Sequence, residues 1–346
     1  MNSVSEKDQA LRFYRQLLRV RTFEERVSEM FVKGETAGSM LHLSIGEEAG
    51  AVGVIGAMRE GDGFTTHHRG HGIFLARGAD PKRMMAEIAG KASGYCRGKG
   101  GSMHIADMGL GHLGANAIVG GGISHTVGAG LTLRMKCRGN AAIAFFGDGA
   151  MQQGVLYESM NLAALWNLPV LFVCINNGYG MGTPLDRASA SLDFELRAKT
   201  FGLGSREVEG DDVFEVYRKA HELLEEVRLG HPFFLKVNCY RFHGHARMDK
   251  SPYLDETEEQ EGRKKDPVLF LRRKMLESGW FTLSQCNEVD EEVNREMDEA
   301  MHFVCHEPDP EAGEIYEDIF DLRTDKPLTV DEHIRKALHS PVLEEG

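Results

Sequence analysis

Long apolar runs are absent from this 346-residue sequence, and none approaches the roughly 20 residues that a membrane-spanning helix requires. The first residues have neither the apolar core of a secretory signal nor the arginine-rich amphipathic start of an organelle-targeting peptide. We therefore expect a soluble, cytoplasmic protein that does not bind a membrane. The length is sufficient for one large α/β domain or two smaller ones.

Proline and paired cysteines are also scarce. Ten prolines accompany 40 glycines, and excess glycine without proline indicates tight loops that approach a ligand. No C-x-x-C pair occurs among the six cysteines, so we expect reduced core thiols and neither a disulfide framework nor a zinc site. The cysteines are Cys96, Cys137, Cys174, Cys239, Cys286 and Cys305.

Positive charge is in deficit. Lysine and arginine together number 40 against 53 aspartates and glutamates, which gives a formal net charge of −13 at pH 7. Such a chain repels nucleic-acid phosphates, and we therefore exclude nucleic acid as a partner. The hydrophobic fraction of 42% and the charged fraction of 27% are ordinary for a globular enzyme.

The middle of the chain alternates between short apolar runs and amphipathic stretches. Apolar runs at 141–146, 170–175 and 233–238 are typical of buried strands. The stretches at 155–166 and 213–229 have helical spacing. This alternation predicts an α/β fold, namely a doubly wound, mostly parallel sheet flanked by helices.

Helical extensions are predicted on both sides of this region. Residues 7–33 have the spacing of one long amphipathic helix, and 266–306 is also predicted to be helical. Residues 255–265 are predicted to form a charged, solvated loop and residues 323–346 a polar tail. We therefore predict one domain over 1–322, followed by that tail.

Polar turns follow two of the predicted strands. Gly147-Asp148-Gly149 follows the first run, and Asn176-Asn177 follows the second, with 26 residues between the two turns. That separation accommodates one helix and one returning strand. Because ligands of such sheets bind at the carboxyl ends of the strands, we expect the side chains of Asp148 and Asn177 to share one space.

The chemistry of these turns suits a metal-bound diphosphate. Mg²⁺ prefers oxygen ligands, and Asp148 and Asn177 offer a carboxylate and an amide oxygen. Gly149 and Ala150 would open a helix whose N–H groups can meet phosphate oxygens. A backbone carbonyl near Tyr179 could supply a third ligand. The alternative is two ordinary β-turns, since Asp-Gly and Asn-Gly are common turn pairs.

The two turns match the thiamine diphosphate signature G-D-G-x(about 25)-N-N. From about residue 10 to 322, the sequence resembles the alpha subunit of the thiamine-dependent component of 2-oxo acid dehydrogenase complexes, of the pyruvate and acetoin type. The resemblance implies a thiamine diphosphate-binding fold with helical ends. It is carried by His67-His68-Arg69-Gly70-His71-Gly72, Gly98-Lys99-Gly100-Gly101-Ser102-Met103-His104, Asn116-Ala117-Ile118-Val119-Gly120, Asn177-Gly178-Tyr179-Gly180-Met181-Gly182 and Tyr240-Arg241-Phe242-His243-Gly244-His245.

The resemblance implies cofactor contacts for further residues. An arginine at the position of Arg69 binds the diphosphate, and His68 stands where many relatives have tyrosine. His245 matches a loop histidine beside the diphosphate and the mouth of the active site. The segment containing Ala117 and Val119 matches one whose backbone contacts the cofactor, with Ala117 where glycine is common.

Other histidines are candidates for the catalytic region. His42 matches a histidine placed near the substrate, although by itself it is equally typical of a satisfied core histidine. His71 is expected near the site, as is the polar side chain of Gln153. A zinc site at His67, His68 and His71 is a weaker alternative, because no matching cysteine or glutamate set accompanies it.

Two glycine-rich segments are weaker candidates for nucleotide binding. Residues 109–114 fit G-x-G-x-x-G, but no apolar strand precedes them. Residues 94–100 resemble a phosphate-binding loop, but the glycines are too closely spaced and no Ser or Thr follows Lys99. We predict that neither segment binds a nucleotide.

The resemblance also implies a missing half of the enzyme. The family activates its cofactor with a glutamate on a second, pyrimidine-binding domain, for which this chain has no room. The implied partner is a beta subunit in an α₂β₂ assembly, and the implied next partner is a lipoyl acyltransferase. The implied substrate is pyruvate or acetoin. Two alternatives remain: a thiamine-dependent carboligase that does not use lipoamide, and a non-catalytic structural subunit.

Overall fold

The computed structural model of the protein describes residues 5–136 and 139–317. One compact unit extends through Asp309, and a second begins at Pro310 and contains the 3-10 helix Ala312–Tyr316. The predicted tail, 323–346, lies outside the described residues, and a single domain over 1–322 stays a prediction. No helix among the described residues is both long and apolar enough to cross a membrane.

Six of the eight described strands form one sheet in the order β2-β1-β3-β4-β8-β7, and every neighbouring pair is parallel. The remaining two, β5 and β6, pair as a short antiparallel hairpin. This sheet confirms the predicted α/β class. The strands are β1 (Gly63–His67), β2 (His112–Asn116), β3 (Ala142–Gly147), β4 (Val170–Asn176), β5 (Tyr179–Gly180), β6 (Thr183–Pro184), β7 (Gly204–Glu209) and β8 (Phe233–Asn238).

Helices connect and flank these strands. They are α1 (Glu6–Lys33), α2 (Glu48–Gly56), α3 (His71–Ala76), α4 (Pro81–Ile88), α5 (Gly121–Met135), α6 (Gly154–Leu165), α7 (Leu185–Ala188), α8 (Phe194–Thr200), α9 (Val213–Arg228), α10 (Glu256–Arg263), α11 (Pro267–Glu277) and α12 (Leu283–Val304). Two further 3-10 helices span Met108–Leu110 and Asp148–Gln152. The predicted N- and C-terminal helical extensions correspond to α1 and to α11 with α12.

Both faces of the central strands are buried. In β3, Ile143 and Phe145 belong to one hydrophobic cluster, whereas Ala144 and Phe146 belong to another. A strand covered by helices on both faces has no polar alternation. The two-sided burial therefore explains why this strand appears in the sequence as a continuous apolar run.

Helix α1 is close to the predicted 7–33. The Ser5 side chain accepts a hydrogen bond from the Asp8 N–H at the amino end, and Gly34 ends the helix with a φ of 75°. The helix packs along α12, where Arg19 donates to both carboxylate oxygens of Glu296. The N- and C-terminal helical extensions therefore pack against each other and contribute to the same hydrophobic core.

The predicted loop at 255–265 is wrong, because most of it forms α10. Asp255 caps this helix by accepting from the Glu258 N–H, and Arg263 pairs with Glu259 one turn earlier. The helix is charged almost throughout and lacks an apolar stripe, so no 3.6-residue period marks it in the sequence. The predicted helix at 266–306 is likewise two helices, α11 and α12. They are separated by a break in which Thr282 caps α12.

The glycine-rich segment at 94–101 wraps around a protein carboxylate. The buried side chain of Glu87 accepts hydrogen bonds from the backbone N–H groups of Cys96, Gly98, Gly100 and Gly101, at 2.7, 2.9, 2.8 and 3.0 Å. The clustered N–H groups of this segment, which resembles a phosphate-binding loop, thus donate to the carboxylate of Glu87. The five described cysteines are free thiols, but the predicted core placement is wrong for Cys305, which is exposed. Cys137 lies outside the described residues.

Candidate active site

A cavity lies at the carboxyl ends of β1, β2, β3 and β4, at the point where the strand order reverses between β1 and β3. This is where doubly wound sheets bind their ligands. The cavity has a volume of about 260 Å³, close to the lower limit of about 300 Å³ for small-molecule and cofactor sites. The predicted site residues that line it are His68, Arg69, Val119, Asp148, Gly149, Ala150, Asn177, Tyr179 and His245.

Asp148 provides a buried carboxylate directly after β3. The residue is 2% exposed, and Oδ2 has no hydrogen-bond partner among the described residues. Burial raises the pKa of Asp148 to about 6, and the negative charge of Glu47 adds to this increase. An unpartnered carboxylate oxygen in a buried position is costly unless a ligand satisfies it, and a cation would do so.

Asn177 stands at the end of β4, and its side-chain amide is held at both ends. Its Nδ2 donates to Glu47 Oε1 at 2.8 Å, and its Oδ1 accepts from the Tyr179 N–H at 3.2 Å. The preceding residue, Asn176, instead donates to Asn238 on β8, so only one member of the Asn-Asn pair faces the cavity. The predicted third ligand, a carbonyl near Tyr179, stays a prediction.

Arg69 is buried beside the cavity. Its guanidinium donates to the carbonyl oxygens of Leu43 at 2.6 Å and His245 at 3.0 Å, and its Nε lies 3.8 Å from Glu47 Oε1. Burial lowers the pKa of Arg69, although Glu47 opposes this effect. Arg241 is a second buried guanidinium in the cavity wall. The two cations make this end of the sheet suitable for an anion.

Helix termini add to this preference. Val119 and Gly120 line the cavity, and α5 begins at Gly121 with the Gly120 backbone at a φ of 79°. The positive end of the α5 dipole thus points to the cavity wall. Ala117 does not line the cavity, and its φ is not positive, as expected for a residue with a methyl side chain.

The helix predicted to start at Gly149 and Ala150 begins differently. Asp148 to Gln152 form a 3-10 turn, and the α-helix proper starts at Gly154. Gln153 lies between the two and lines the cavity, which agrees with the expectation that its polar side chain is near the site. A helical N-terminus therefore does follow the G-D-G turn, one short turn later than predicted.

Three histidines form a group at the cavity. The His42 ring lies 4.5 Å from the His68 ring and 4.9 Å from the His245 ring, centroid to centroid. Burial lowers the pKa of all three, to about 3 for His42 and about 4 for His245, so the rings are neutral at neutral pH. Within 5–136 and 139–317, neither His42 Nδ1 nor His68 Nε2 has a hydrogen-bond partner. His42 is therefore not the satisfied core histidine of the alternative interpretation.

The ligating atoms of these three rings lie within 4.8 Å of one another, a spacing compatible with a metal. The positive charge of Arg69, however, lowers the pKa of both His42 and His245, and the same charge opposes a cation there. The neutral rings with free nitrogens suit hydrogen bonding to a polar substrate better.

His71 and His243 are not brought to the cavity. His71 is 1% exposed, and its nitrogens bond to Glu24 Oε2 at 3.1 Å and Ser102 Oγ at 2.9 Å. It thereby ties α1 and α3 to the segment at 98–104. His243 lies in a separate surface depression with Arg21 and Phe242. His71, which was expected near the site, therefore does not line the cavity, and a catalytic role for it stays a prediction.

Two further cavity residues, Glu47 and Arg241, were not singled out from the sequence. Glu47 is the first of two consecutive glutamates at the start of an apolar helix, and nothing in the local sequence distinguishes it from Glu48. Arg241 lies inside a segment that carries the family resemblance, and this arginine in that segment was the available indication in the sequence. The structure shows that it is buried.

Comparisons with known proteins agree with this geometry. A family model described as "Dehydrogenase E1 component" matches residues 15–313. The chain is 41% identical over 316 residues to the alpha subunit of acetoin:2,6-dichlorophenolindophenol oxidoreductase from Bacillus subtilis, covering 91% of this chain and 94% of that protein. It is 39% identical over 317 residues to the pyruvate dehydrogenase E1 component subunit alpha from Rhizobium meliloti, covering 90% of each chain.

Proposed function

The chain belongs to the dehydrogenase E1 component family, and we propose that it is the alpha subunit of a thiamine diphosphate- and Mg²⁺-dependent dehydrogenase that cleaves pyruvate or acetoin. The observation that carries this proposal is the unpartnered, buried Asp148 Oδ2 in the same cavity as the Asn177 amide. Relatives named for acetoin and for pyruvate match about equally well, so the two substrates are proposed together.

The metal half of the proposal is supported by the donor set. Asp148 supplies a carboxylate, and Asn177 supplies an amide oxygen, both of which Mg²⁺ accepts. One carboxylate and one neutral amide leave the ion with net positive charge for a phosphate ligand. The Tyr179 carbonyl is proposed as the third protein ligand.

The diphosphate half is supported by the charges of the cavity wall. Arg69, Arg241 and the amino end of α5 present positive charge or dipole to the same space. His68 and the backbone near Val119 are proposed to complete the contacts. Ala117 is proposed only as a backbone neighbour, since its side chain does not line the cavity.

When bound, thiamine diphosphate supplies the nucleophile and the electron sink for cleavage next to a carbonyl. The chain's own part is to bind, orient and hydrogen-bond. His245 and His68 line the cavity as neutral rings, which can each donate and accept a hydrogen bond at a substrate oxygen. His42 packs against both rings and fixes their positions.

The proposed assembly is an α₂β₂ heterotetramer in which a beta subunit supplies the activating glutamate. The relatives are themselves named as alpha subunits, which supports a partner of this kind. Transfer of the acyl group to a lipoyl acyltransferase and a cytoplasmic location are parts of the same proposal.

Calorimetry with thiamine diphosphate and Mg²⁺ tests the function. The chain is co-expressed with its beta subunit, and the wild type is compared with Asp148→Ala and with the milder Asp148→Asn. We expect binding that requires both Mg²⁺ and Asp148. The control is Asp212→Ala, which removes the cap of α9 and leaves the cavity unchanged. A folded, correctly paired wild type that binds neither ligand would refute the proposal. If both ligands bind, lipoamide reduction with pyruvate and with acetoin tests the acyl acceptor.

A further inference from the structure

The buried carboxylate of Glu47 has no role in the function proposed so far. It is 4% exposed, lies in the cavity wall and accepts from Asn177 Nδ2 at 2.8 Å. We propose that Glu47 is a positioning residue that turns the amide oxygen of Asn177 toward the metal. This inference rests on the proposed function, because it assigns the metal to Asn177.

The argument begins with the two ends of a carboxamide. The side chain of Asn177 could present either its NH₂ group or its oxygen to the cavity, and only the oxygen can ligate a cation. A carboxylate accepts hydrogen bonds but has none to donate, so Glu47 can face only the NH₂ end. The oxygen end then faces the Tyr179 N–H and the cavity, with one lone pair left for a ligand.

The backbone holds Glu47 rigidly enough for this task. The Phe242 N–H donates to the Ile45 carbonyl at 3.0 Å, which fixes the segment just before Glu47. Gly46 has a φ of 98°, and a Cβ there would lie 1.9 Å from the carbonyl oxygen of Tyr240. The chain therefore approaches the segment after β8 as closely as glycine allows, which leaves Glu47 little freedom to move.

The guanidinium of Arg69 partly offsets the charge of Glu47. Arg69 Nε lies 3.8 Å from the same Oε1 that accepts from Asn177. A buried carboxylate near a guanidinium keeps its charge at a smaller cost than an isolated one. Partners of this kind behind a metal ligand commonly change metal affinity by about 10–100-fold when removed.

The experiment measures the Mg²⁺ dissociation constant by calorimetry, on the chain assembled with its beta subunit and saturated with thiamine diphosphate. In Glu47→Ser the side chain is too short to reach Asn177, and we expect Mg²⁺ to bind about 10–100-fold more weakly. In Glu47→Gln the amide oxygen can still accept, and we expect a dissociation constant within about three-fold of the wild type.

A matched control separates orientation from general destabilisation. Asp62 is also a buried carboxylate, but it lies just before the amino end of β1, away from the cavity, where it pairs with Arg228 and accepts from the Ala141 N–H. Asp62→Ser should lower the melting temperature and leave the Mg²⁺ dissociation constant unchanged. A double-mutant cycle adds a second measurement: in an Asn177→Ala background, Glu47→Ser should have little further effect, because its partner is already missing.

The outcomes are distinct. Unchanged Mg²⁺ affinity in Glu47→Ser, or full additivity with Asn177→Ala, would overturn the positioning role. Equal weakening in Glu47→Gln and Glu47→Ser would also overturn it, because charge and not orientation would then be decisive. If the wild-type assembly binds no Mg²⁺ and thiamine diphosphate, the proposed function itself fails; wild-type binding with an unaffected Glu47→Ser refutes only this inference.

Discussion

The carboxylate at the centre of the glycine-rich segment gives a stability prediction. Glu87 accepts four backbone hydrogen bonds: Oε1 from Gly100 and Gly101, and Oε2 from Cys96 and Gly98. Glu87→Gln replaces one accepting oxygen with an NH₂ group and so removes two of the four. Each hydrogen bond to a charged group contributes about 1.5–3 kcal/mol, so a rigid segment would lose about 3–6 kcal/mol. Because the segment can relax, we expect the lower end, about 3 kcal/mol.

Chemical denaturation followed by circular dichroism measures this loss, and hydrogen exchange locates it. The amides of Gly98 and Gly101 should exchange faster in Glu87→Gln, whereas those of β3 should change only as much as global stability does. Glu299→Gln, at an exposed pair with Lys82, is the control and should cost less than about 0.5 kcal/mol. A loss below about 1 kcal/mol with unchanged exchange would show that Glu87 does not organise the segment.

Two further predictions concern the cavity. Burial, with a smaller effect of the Arg69 charge, lowers the pKa of His42 to about 3, against about 6.5 in an unfolded chain. As the pH falls, the unfolded state therefore takes up this proton at a higher pH than the folded state, so the stability contributed by neutral His42 is complete above about pH 6.5 and decreases below it. In His42→Asn the denaturation midpoint should depend less steeply on pH between about pH 4.5 and 6.5. An unchanged slope would contradict the argument. Tyr179 donates to Glu258 of α10 at 2.8 Å. Tyr179→Phe should therefore loosen the turn after β4 and weaken thiamine diphosphate binding, measured by calorimetry, about three- to ten-fold. Glu258→Gln retains an acceptor and should have a smaller effect, and equal affinity in the wild type and both variants would refute the link.

The parts of the fold that the sequence predicted well are those buried on both sides. Strand β8 begins and ends where the apolar run at 233–238 does, and β4 extends the predicted run by one residue. By contrast, β1 and β2 contain polar and small residues, such as Thr65, Thr66 and Gly114, and no strand is predicted there from the sequence. Their burial depends on neighbours elsewhere in the chain, which a local pattern does not reveal.

The residues of the candidate site also differ in how well the sequence predicts them. Asp148 and Asn177 were predictable because each follows a strand at a fixed separation, and parallel strands bring their carboxyl ends together. Glu47 reaches Asn177 across 130 residues, and His42 reaches His68 and His245 from a segment with no regular structure. Contacts of this kind are set by packing of the whole domain, and no spacing in the sequence encodes them.

The charges of the cavity are compatible with the polyanionic cofactor that we propose for this acidic chain. Among the described residues, the charged side chains that line the cavity are Glu47 and Asp148 against Arg69 and Arg241, two of each sign, so the cavity is close to neutral although the chain carries −13. A divalent cation alone would leave this buried space positive, and a diphosphate alone would leave it negative; together they offset each other where the dielectric is low. We therefore expect each of the two proposed ligands to raise the affinity of the other by the same factor. The net charge, from which we expect no nucleic-acid partner, consequently does not oppose the metal diphosphate proposed for the cavity.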